Sequence, residues 1–332
     1  MHCELIVPGL FAEPSGMRAP ALELLLARGR SGSGESCSPE AWLRDAFALE
    51  EGSLPAGALT LAADGRDTGE HCWGRADPVH LRLMRDRLIV VPPAAFALSS
   101  EEAEALVEAL NRHFAGRMSL TALEPARWCA RLERHFAVNA VSPLEAAGRD
   151  ADLAQRIGGE AGKRWASFLN EAQMLLHAHP VNLAREARGE PTVNSLWLWG
   201  VGLAPRVPSS RWQSVCADDP IALGLARLAG TRHRRLPAGA DSWLETAPEA
   251  GRHLVLLDAL RAPLALGHSA AYGESIARLE SQWFAPLLAA LRAGRVGMVT
   301  VHVPDCAGAS FETIRGDLRR FWRRPRALEK YA

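Results

Sequence analysis

Four apolar runs constrain the fold more than anything else in the chain: Leu5-Ile6-Val7-Pro8-Gly9-Leu10, Ser214-Val215-Cys216-Ala217, His253-Leu254-Val255-Leu256-Leu257 and Gly297-Met298-Val299-Thr300-Val301-His302. They are short and end in turn signals, and the longer ones are hydrophobic throughout rather than alternating. This is the pattern of strands buried on both faces. Helical patterns lie between the later runs, at residues 220–228 and 273–292. Strand and helix in alternation require an α/β fold with a mostly parallel sheet and helices on both faces. A chain of 332 residues, 48% hydrophobic, can build one large α/β domain with an insertion, or two domains.

Charge and cysteine usage narrow the function classes. With 38 basic and 38 acidic side chains the formal net charge is zero, so no nucleic-acid partner is expected. Only Lys163 and Lys330 are lysine, which reads as coding bias rather than a taste for bidentate anion recognition. No apolar run approaches the roughly 18 residues that a membrane span needs, so no membrane partner is expected. The first residues lack the basic and long apolar regions of a signal peptide. Cys3, Cys37, Cys72, Cys129, Cys216 and Cys306 form no C-x-x-C pair and read as free thiols in a reducing, cytoplasmic compartment. The basic, aromatic stretch at residues 318–326 could touch nucleic acid or anionic lipid, but reads better as a helix covering the sheet edge with solvated arginines. Nothing in the sequence sets an oligomeric state.

The remaining elements follow from local signals. Leucines at helical spacing mark a helix over residues 20–30, closed by the linker-like Ser31-Gly32-Ser33-Gly34. Ser38-Pro39-Glu40 opens the next helix with a capping serine and proline at its first position. Residues 64–75 are turn-rich and mark a boundary, and strands are expected at 76–81 and 87–93. A helix runs from Ser99 to about Phe114, residues 120–131 read as a strand pair or one irregular strand, and 138–149 read as a loop. Residues 161–187 form one long helix, or two joined near Pro180.

The densest polar cluster lies in residues 170–202. Asn170, Glu171, Gln173, His177, His179, Asn182, Arg185 and Glu186 fall within about five helical turns. After a break at Gly189-Glu190-Pro191 comes a strand-like run through Trp197-Leu198-Trp199, ending in Gly200-Val201-Gly202. Ligands of open α/β sheets bind beyond the carboxyl ends of strands, so a site is expected near Gly200. Glu171 with His179 or His177 is a candidate acid–base pair: Glu171 and His179, eight apart, fall on similar faces of an unbroken helix, whereas His177, six apart, points elsewhere, so the spacing is permissive and not specific. Beside these stands the plainer reading that Asn170, Glu171 and Gln173 cap and brace a helix–strand junction.

At these residues the chain resembles the cofactor-independent phosphoglycerate mutases of the archaeal type, in the alkaline phosphatase superfamily. It is most similar to a bacterial group of RpfE-type, phosphoglycerate mutase-like proteins. The resemblance rests on Arg75-Ala76-Asp77-Pro78-Val79-His80-Leu81, Asn170-Glu171-Ala172-Gln173-Met174, His179-Pro180-Val181-Asn182 with Arg185, Val193-Asn194, and Trp197-Leu198-Trp199-Gly200. It covers nearly the whole chain. It implies an alkaline phosphatase-like sheet at residues 1–74 and 190–332, with a smaller α+β cap domain and its return helix inserted at 75–189. It also implies two divalent metals (manganese, magnesium or zinc) and a serine that carries a phosphoryl group.

Residue by residue, that carry-over is incomplete. Pro8-Gly9 stands where the resemblance implies aspartate-glycine, and Ser38-Pro39 where it implies the serine-aspartate pair. Leu264 precedes the retained Gly267-His268, Trp283 occupies the helix aspartate's place, and Val301 precedes His302. Two dications about 4 Å apart need anionic ligands, and two imidazoles do not replace them. No metal cofactor is therefore expected. If one binds, Asp258, His268 and His302 are its ligands, with Asp305 in reserve. The expectation is a degenerate, regulatory or ligand-binding relative, with Arg75, His80, Asn170, Glu171, His177, Asn182, Arg185 and Trp199 lining a site for a phosphorylated small molecule. The alternative is an active mutase or phosphatase with Ser38 as nucleophile and displaced ligands drawn from Asp218, Asp219 and Asp258.

Overall fold

The computed structural model describes residues 1–13, 17–50, 52–133, 137–247 and 250–331. The chain begins with β1 (His2–Ile6), α1 (Pro20–Arg28), β2 (Arg30–Gly32), α2 (Pro39–Ala46) and α3 (Ala56–Ala63). Then come β3 (Cys72–Met84), β4 (Arg87–Val91), α4 (Ser100–His113), β5 (Ser119–Glu124), β6 (Arg127–Leu132), β7 (Asn139–Ala140), α5 (Ala151–Ala154), β8 (Gln155–Arg156), α6 (Gly159–His177), α7 (Pro180–Ala187) and β9 (Ser195–Gly202). It continues through β10 (Ser214–Cys216), α8 (Pro220–Leu228), β11 (Arg232–Arg234), α9 (Ala240–Thr246), β12 (Arg252–Leu256), α10 (Arg261–Ala265), α11 (Ser269–Leu279), a π-helical turn (Glu280–Phe284), α12 (Ala285–Ala293), β13 (Met298–Val303) and β14 (Ala309–Ile314). These elements divide into two compact units, residues 1–51 with 206–332, and residues 52–205.

The first unit carries a seven-stranded sheet in the order β11-β10-β12-β1-β13-β14-β2. β11, β10, β12, β1 and β13 are mutually parallel, and β14 and β2 are added antiparallel at one side. The apolar runs set this arrangement. Leu5 sits between Val255 and Val301 in the register, and Cys3, Leu5, Val7, Val255, Val299 and Val301 share one buried cluster with side chains of α1, α9, α11 and α12. Each such side chain taken fully out of water contributes roughly 1.5–3 kcal/mol. The alternate residues face the other way, where Trp42 of α2 packs on His302 at 5.1 Å, and α8 lies over β10 and β11. Helices therefore cover both faces.

The second unit is α+β. Its sheet is wholly antiparallel, in the order β4-β3-β6-β5, with β9 paired to β3. α4 and α6 cover one face through Leu106, Leu110, Phe114, Trp165, Phe168 and Leu176, packed with Trp128, Leu196 and Leu198. α3 lies against β3 so closely that a Cβ on Gly57 would stand 2.5 Å from the backbone of Gly74.

Several local expectations change in the structure. β1 ends at Ile6 because Gly9, at φ +79°, already belongs to the turn. The segments expected at 76–81 and 87–93 are arms of one hairpin, β3 and β4. The 161–187 helix is two helices, with His179 capping α7 and Pro180 in its first turn. The unit boundaries fall after residues 51 and 205, where the sequence reading drew them after 74 and 189. The difference lies in β9: its apolar run reads as a core strand, but it pairs with β3 inside the second unit. The arginine-rich stretch at 318–326 is no helix. A 3-10 turn, Arg315–Arg319, gives way to irregular chain, consistent with a run that holds Pro325 and little apolar periodicity.

Candidate functional site

The polar cluster around residues 75–202 resolves into internal brackets of the second unit. Arg75 and Asp77 are neighbours on the same face of β3, and both are buried. Arg75 Nε and Nη2 donate to Asp77 Oδ1 at 3.0 and 2.7 Å, and Arg75 Nη1 reaches Thr60 Oγ1 at 3.4 Å. Asp77 also accepts from the Trp128 backbone N–H at 3.2 Å and from Trp199 Nε1 at 2.7 Å. The Arg75 guanidinium lies 5.3 Å from the centre of the Trp199 ring. Arg75 and Trp199 are thus brought together, but through Asp77 and out of water.

Asn182 and Arg185 act alike. Asn182 Nδ2 donates to Leu176 O and Val193 O, both at 2.8 Å, and its Oδ1 accepts from Val193 N at 2.9 Å. It ties the end of α6 and the start of α7 to the approach of β9. Arg185 is 1% exposed; it donates to Pro191 O at 2.8 Å and pairs with Glu102 at 2.7 Å. His80 Nδ1 lies 3.0 Å from Thr192 O. Glu171 is half-exposed on α6 and pairs with Arg117 at 2.7 Å and His113 at 3.2 Å, which hold its carboxyl below the usual range. His179 accepts from Val181 N at 3.3 Å as a helix cap, and burial lowers its pKa. Asn170 and His177 are exposed. Glu171 and His179 therefore have separate partners rather than one another.

The premise for a site near Gly200, a carboxyl strand end of an open parallel sheet, does not hold there. β9 runs antiparallel to β3, so Gly200 is not at a parallel sheet's carboxyl edge. Gly200 adopts φ +54° and packs on the first turn of α3, where a Cβ would stand 2.4 Å from Ala56 Cβ. That glycine makes a close approach between two elements.

The carboxyl edge of a parallel sheet exists in the first unit, and the charged groups gather there. Each strand is followed within a few residues by a polar turn: Gly9 after β1, Asp218 and Asp219 after β10, Asp258 after β12 and Asp305 after β13. The start of α2 joins them. Cys37 N donates to Pro304 O at 3.0 Å, and Arg261 bonds Glu40 Oε1 at 2.8 Å. Most of these carboxylates already have protein partners. Asp219 caps α8 through Ala222 N at 2.8 Å, Asp218 accepts from Leu236 N at 3.3 Å, and Asp305 accepts from Gly9 N at 2.7 Å. Ser38 Oγ accepts from Ala41 N at 3.1 Å as the cap of α2.

Two features of this edge are left open. Glu40 Oε2 is buried with no hydrogen-bond partner among the described residues. Asp258 has its pKa raised to about 6, by burial first and then by the nearby charge of Asp219, with Arg261 opposing. Burial also raises Asp219. A carboxyl that titrates near neutral pH can take and return a proton there.

The two-metal centre implied by the resemblance does not fit these residues. Among the described residues, no group of three or more histidine, cysteine, aspartate or glutamate side chains is placed to hold a metal ion. His268 is exposed at the start of α11, and no side-chain hydrogen bond ties it to that helix. His302 lies under Trp42, 3.7 Å from the buried Glu4. Trp283 is a core side chain in the π-helical turn, and Leu264 would lie 3.3 Å from a Cβ on Gly9. Asp258 has carboxylates and Arg261 around it rather than either histidine.

Sequence reasoning missed Glu40 and Arg261, which join α2 to this edge; no spacing rule links residues that far apart. It also missed the network at the middle of β1. Glu4 is 1% exposed, with Arg252 at 2.6 Å, Arg211 at 3.4 Å, His2 at 3.7 Å and His302 at 3.7 Å. Burial alone would raise the Glu4 carboxyl, but His302 and Arg252 hold it down to about 2. A lone glutamate inside an apolar strand was the available signal.

Comparison with known proteins gives this geometry a lineage. No family model matches the chain. It is 24% identical over 335 aligned positions, 87% of the chain and 78% of the relative, to the 2,3-bisphosphoglycerate-independent phosphoglycerate mutase of Methanosarcina acetivorans. It is 28% identical to the second such enzyme of Methanothermobacter thermautotrophicus, over 55% of the chain and half of the relative's length. Among solved structures, the PH0037 protein of Pyrococcus horikoshii shares the fold, with a TM-score of 0.59 over 94% of the chain and 87% of its own, at 15% identity. With a mostly parallel sheet covered on both faces, the chain is a relative of the cofactor-independent phosphoglycerate mutases.

Proposed function

We propose that this chain is a degenerate phosphoglycerate mutase-like protein, without two-metal catalysis, that acts as a ligand-binding or regulatory protein for a phosphorylated small molecule. The observation that supports it most is the state of the carboxyl edge: Asp218, Asp219 and Asp305 face backbone N–H groups, and Glu40 faces Arg261. Metal-bridged phosphoryl transfer needs those oxygens turned to the ions. Ser38, the one candidate nucleophile, has its oxygen in a helix cap. In this reading the protein works in the cytoplasm, where its cysteines, all free, stay reduced.

A second reading has one observation in its favour. Glu40 Oε2 without a partner and an Asp258 carboxyl raised to about 6 describe an edge with excess negative charge, which a cation would relieve. An active mutase or phosphatase with displaced ligands would use Asp218, Asp219 and Asp258 in this way. Metal analysis of the purified protein, with 3-phosphoglycerate conversion assayed in added manganese, separates the two. About two metals per chain with turnover abolished by Ser38→Ala supports the enzyme and refutes the degenerate reading. Neither metal nor turnover supports the binding protein, whose ligand a thermal-shift screen of phosphorylated metabolites would find, since ligand at 100 times its Kd adds roughly 2.7 kcal/mol.

A further inference from the structure

The stretch Arg319-Arg320-Phe321-Trp322-Arg323-Arg324-Pro325-Arg326 has five arginines, two large aromatics and no acidic residue. The structure holds it in a fixed place. Arg28 donates to Leu318 O, Arg320 Nη1 to Arg28 O at 3.1 Å, and Arg323 Nη1 to Gly29 O at 2.6 Å. Arg28 and Gly29 end α1, so two of these bonds satisfy carbonyls that a helix terminus leaves open, where positive charge is favoured. Arg320 is also paired with Asp317 at 2.8 Å. On either side, Leu318 and Leu328 turn inward to the core of the first unit.

Phe321 and Trp322 turn outward instead. They are 77% and 66% exposed, and pack edge to face with ring centres 5.3 Å apart. Arg319, Arg323, Arg324 and Arg326 are exposed around them. A segment tied to a helix end by its arginines, with its two largest apolar side chains presented to water, is built to meet something outside the chain.

We propose that residues 319–326 form a docking surface for an anionic lipid bilayer. Tryptophan and phenylalanine rings favour the membrane–water interface, and clustered arginines bind anionic headgroups. The edge-to-face pair forms one apolar knob; a single-stranded nucleic acid would use open ring faces for successive bases. With the whole chain at zero net charge, the attraction is local to this patch. Peripheral docking needs no membrane span, so the sequence expectation of no membrane partner, drawn from the lack of one, does not bear on it.

The test is co-sedimentation of the full chain with vesicles of phosphatidylglycerol and phosphatidylcholine, against phosphatidylcholine alone. Pelleting with the anionic vesicles only, suppressed by added salt, is expected. Arg324→Gln and Arg326→Gln should each weaken it about fivefold, and Phe321→Ala with Trp322→Ala should remove most of the rest. Circular dichroism and the melting temperature should not move, because these side chains are exposed. No pelleting, equal pelleting with neutral vesicles, or full binding by the aromatic variant would overturn the proposal. So would retention of a single-stranded oligonucleotide by a chain that ignores vesicles.

Discussion

Replacing Asp77 with alanine should unfold the second unit far more readily, and the size of the effect follows from its contacts. Asp77 is 2% exposed, and Arg75 beside it is 7% exposed. Removing one partner of a buried ion pair strands the other charge and costs about 3–5 kcal/mol. The Trp128 backbone N–H and the Trp199 indole N–H lose their acceptor in the same step, about 1–3 kcal/mol each if neither finds water. These costs overlap once water enters the gap, so the expected loss is about 4–5 kcal/mol in total. With a urea m-value of about 2 kcal/mol per molar, the midpoint should fall by roughly 2 M, read by far-ultraviolet circular dichroism. The double variant Arg75→Met, Asp77→Leu should recover most of the loss, because an apolar pair of similar volume carries no buried charge. A single-variant loss below about 1 kcal/mol, or a double variant no better than the single, would refute the view of Arg75 as a brace and return it to the candidates for ligand contact.

Four further outcomes are expected. Glu4, held at about 2 against an ordinary 4.5, stabilises the fold by about 3 kcal/mol above its unfolded pKa, and that contribution is lost as pH falls toward 2; Glu4→Gln should flatten melting temperature over this window. Asp258 has the opposite sign: raised from 3.8 to about 6, it costs stability as pH rises through that interval, so Asp258→Asn should stabilise the protein near pH 7 by on the order of 2 kcal/mol, seen by calorimetry on both sides of pH 6. Gly200→Ala should lower stability by roughly 3 kcal/mol, since it adds left-handed strain to a methyl–methyl approach of 2.4 Å; an unchanged thermal melt would refute the close-approach account. Ser38→Ala should cost about 1 kcal/mol as a lost helix cap, and a much larger loss would point to contacts beyond Ala41 N.

The sheet of the first unit was legible because its strands are continuous in apolar character and separated by helices with clear starts. Capping signals at Ser38 and Ser99 stand in the structure as drawn from sequence rules, whereas α8 is capped by Asp219 and not by its neighbour Asp218. β9 was misplaced for a physical reason. Leu196, Trp197, Leu198 and Trp199 are all buried, so the run lacks the alternation that marks an antiparallel strand with one wet face. The polar cluster misled in a related way. Asn182 and Arg185 are polar because the α6–α7–β9 junction has backbone carbonyls at Leu176, Val193 and Pro191 that need donors away from water. A sequence shows that such groups are present, but whether they face a ligand or their own backbone is decided by elements far apart in the chain. The same limit hid the joining of Glu40 to Arg261.

The charge of the carboxyl edge links the two functional readings. Glu40, Asp218, Asp219, Asp258 and Asp305 stand there with Arg261 as the cation bonded to Glu40. A phosphoryl group brought to that edge meets carboxylates first, so without a cation the edge repels the phosphorylated ligand proposed above. If a phosphorylated metabolite raises the melting temperature in the presence of chelator, its binding should therefore be unaffected by Asp258→Asn. If stabilisation appears only with manganese and disappears in Asp258→Asn, the edge binds ligand through a cation and the degenerate reading fails. A stabilisation without metal that grows in Asp258→Asn would show instead that the ligand sits at the edge and is resisted there by that one carboxylate.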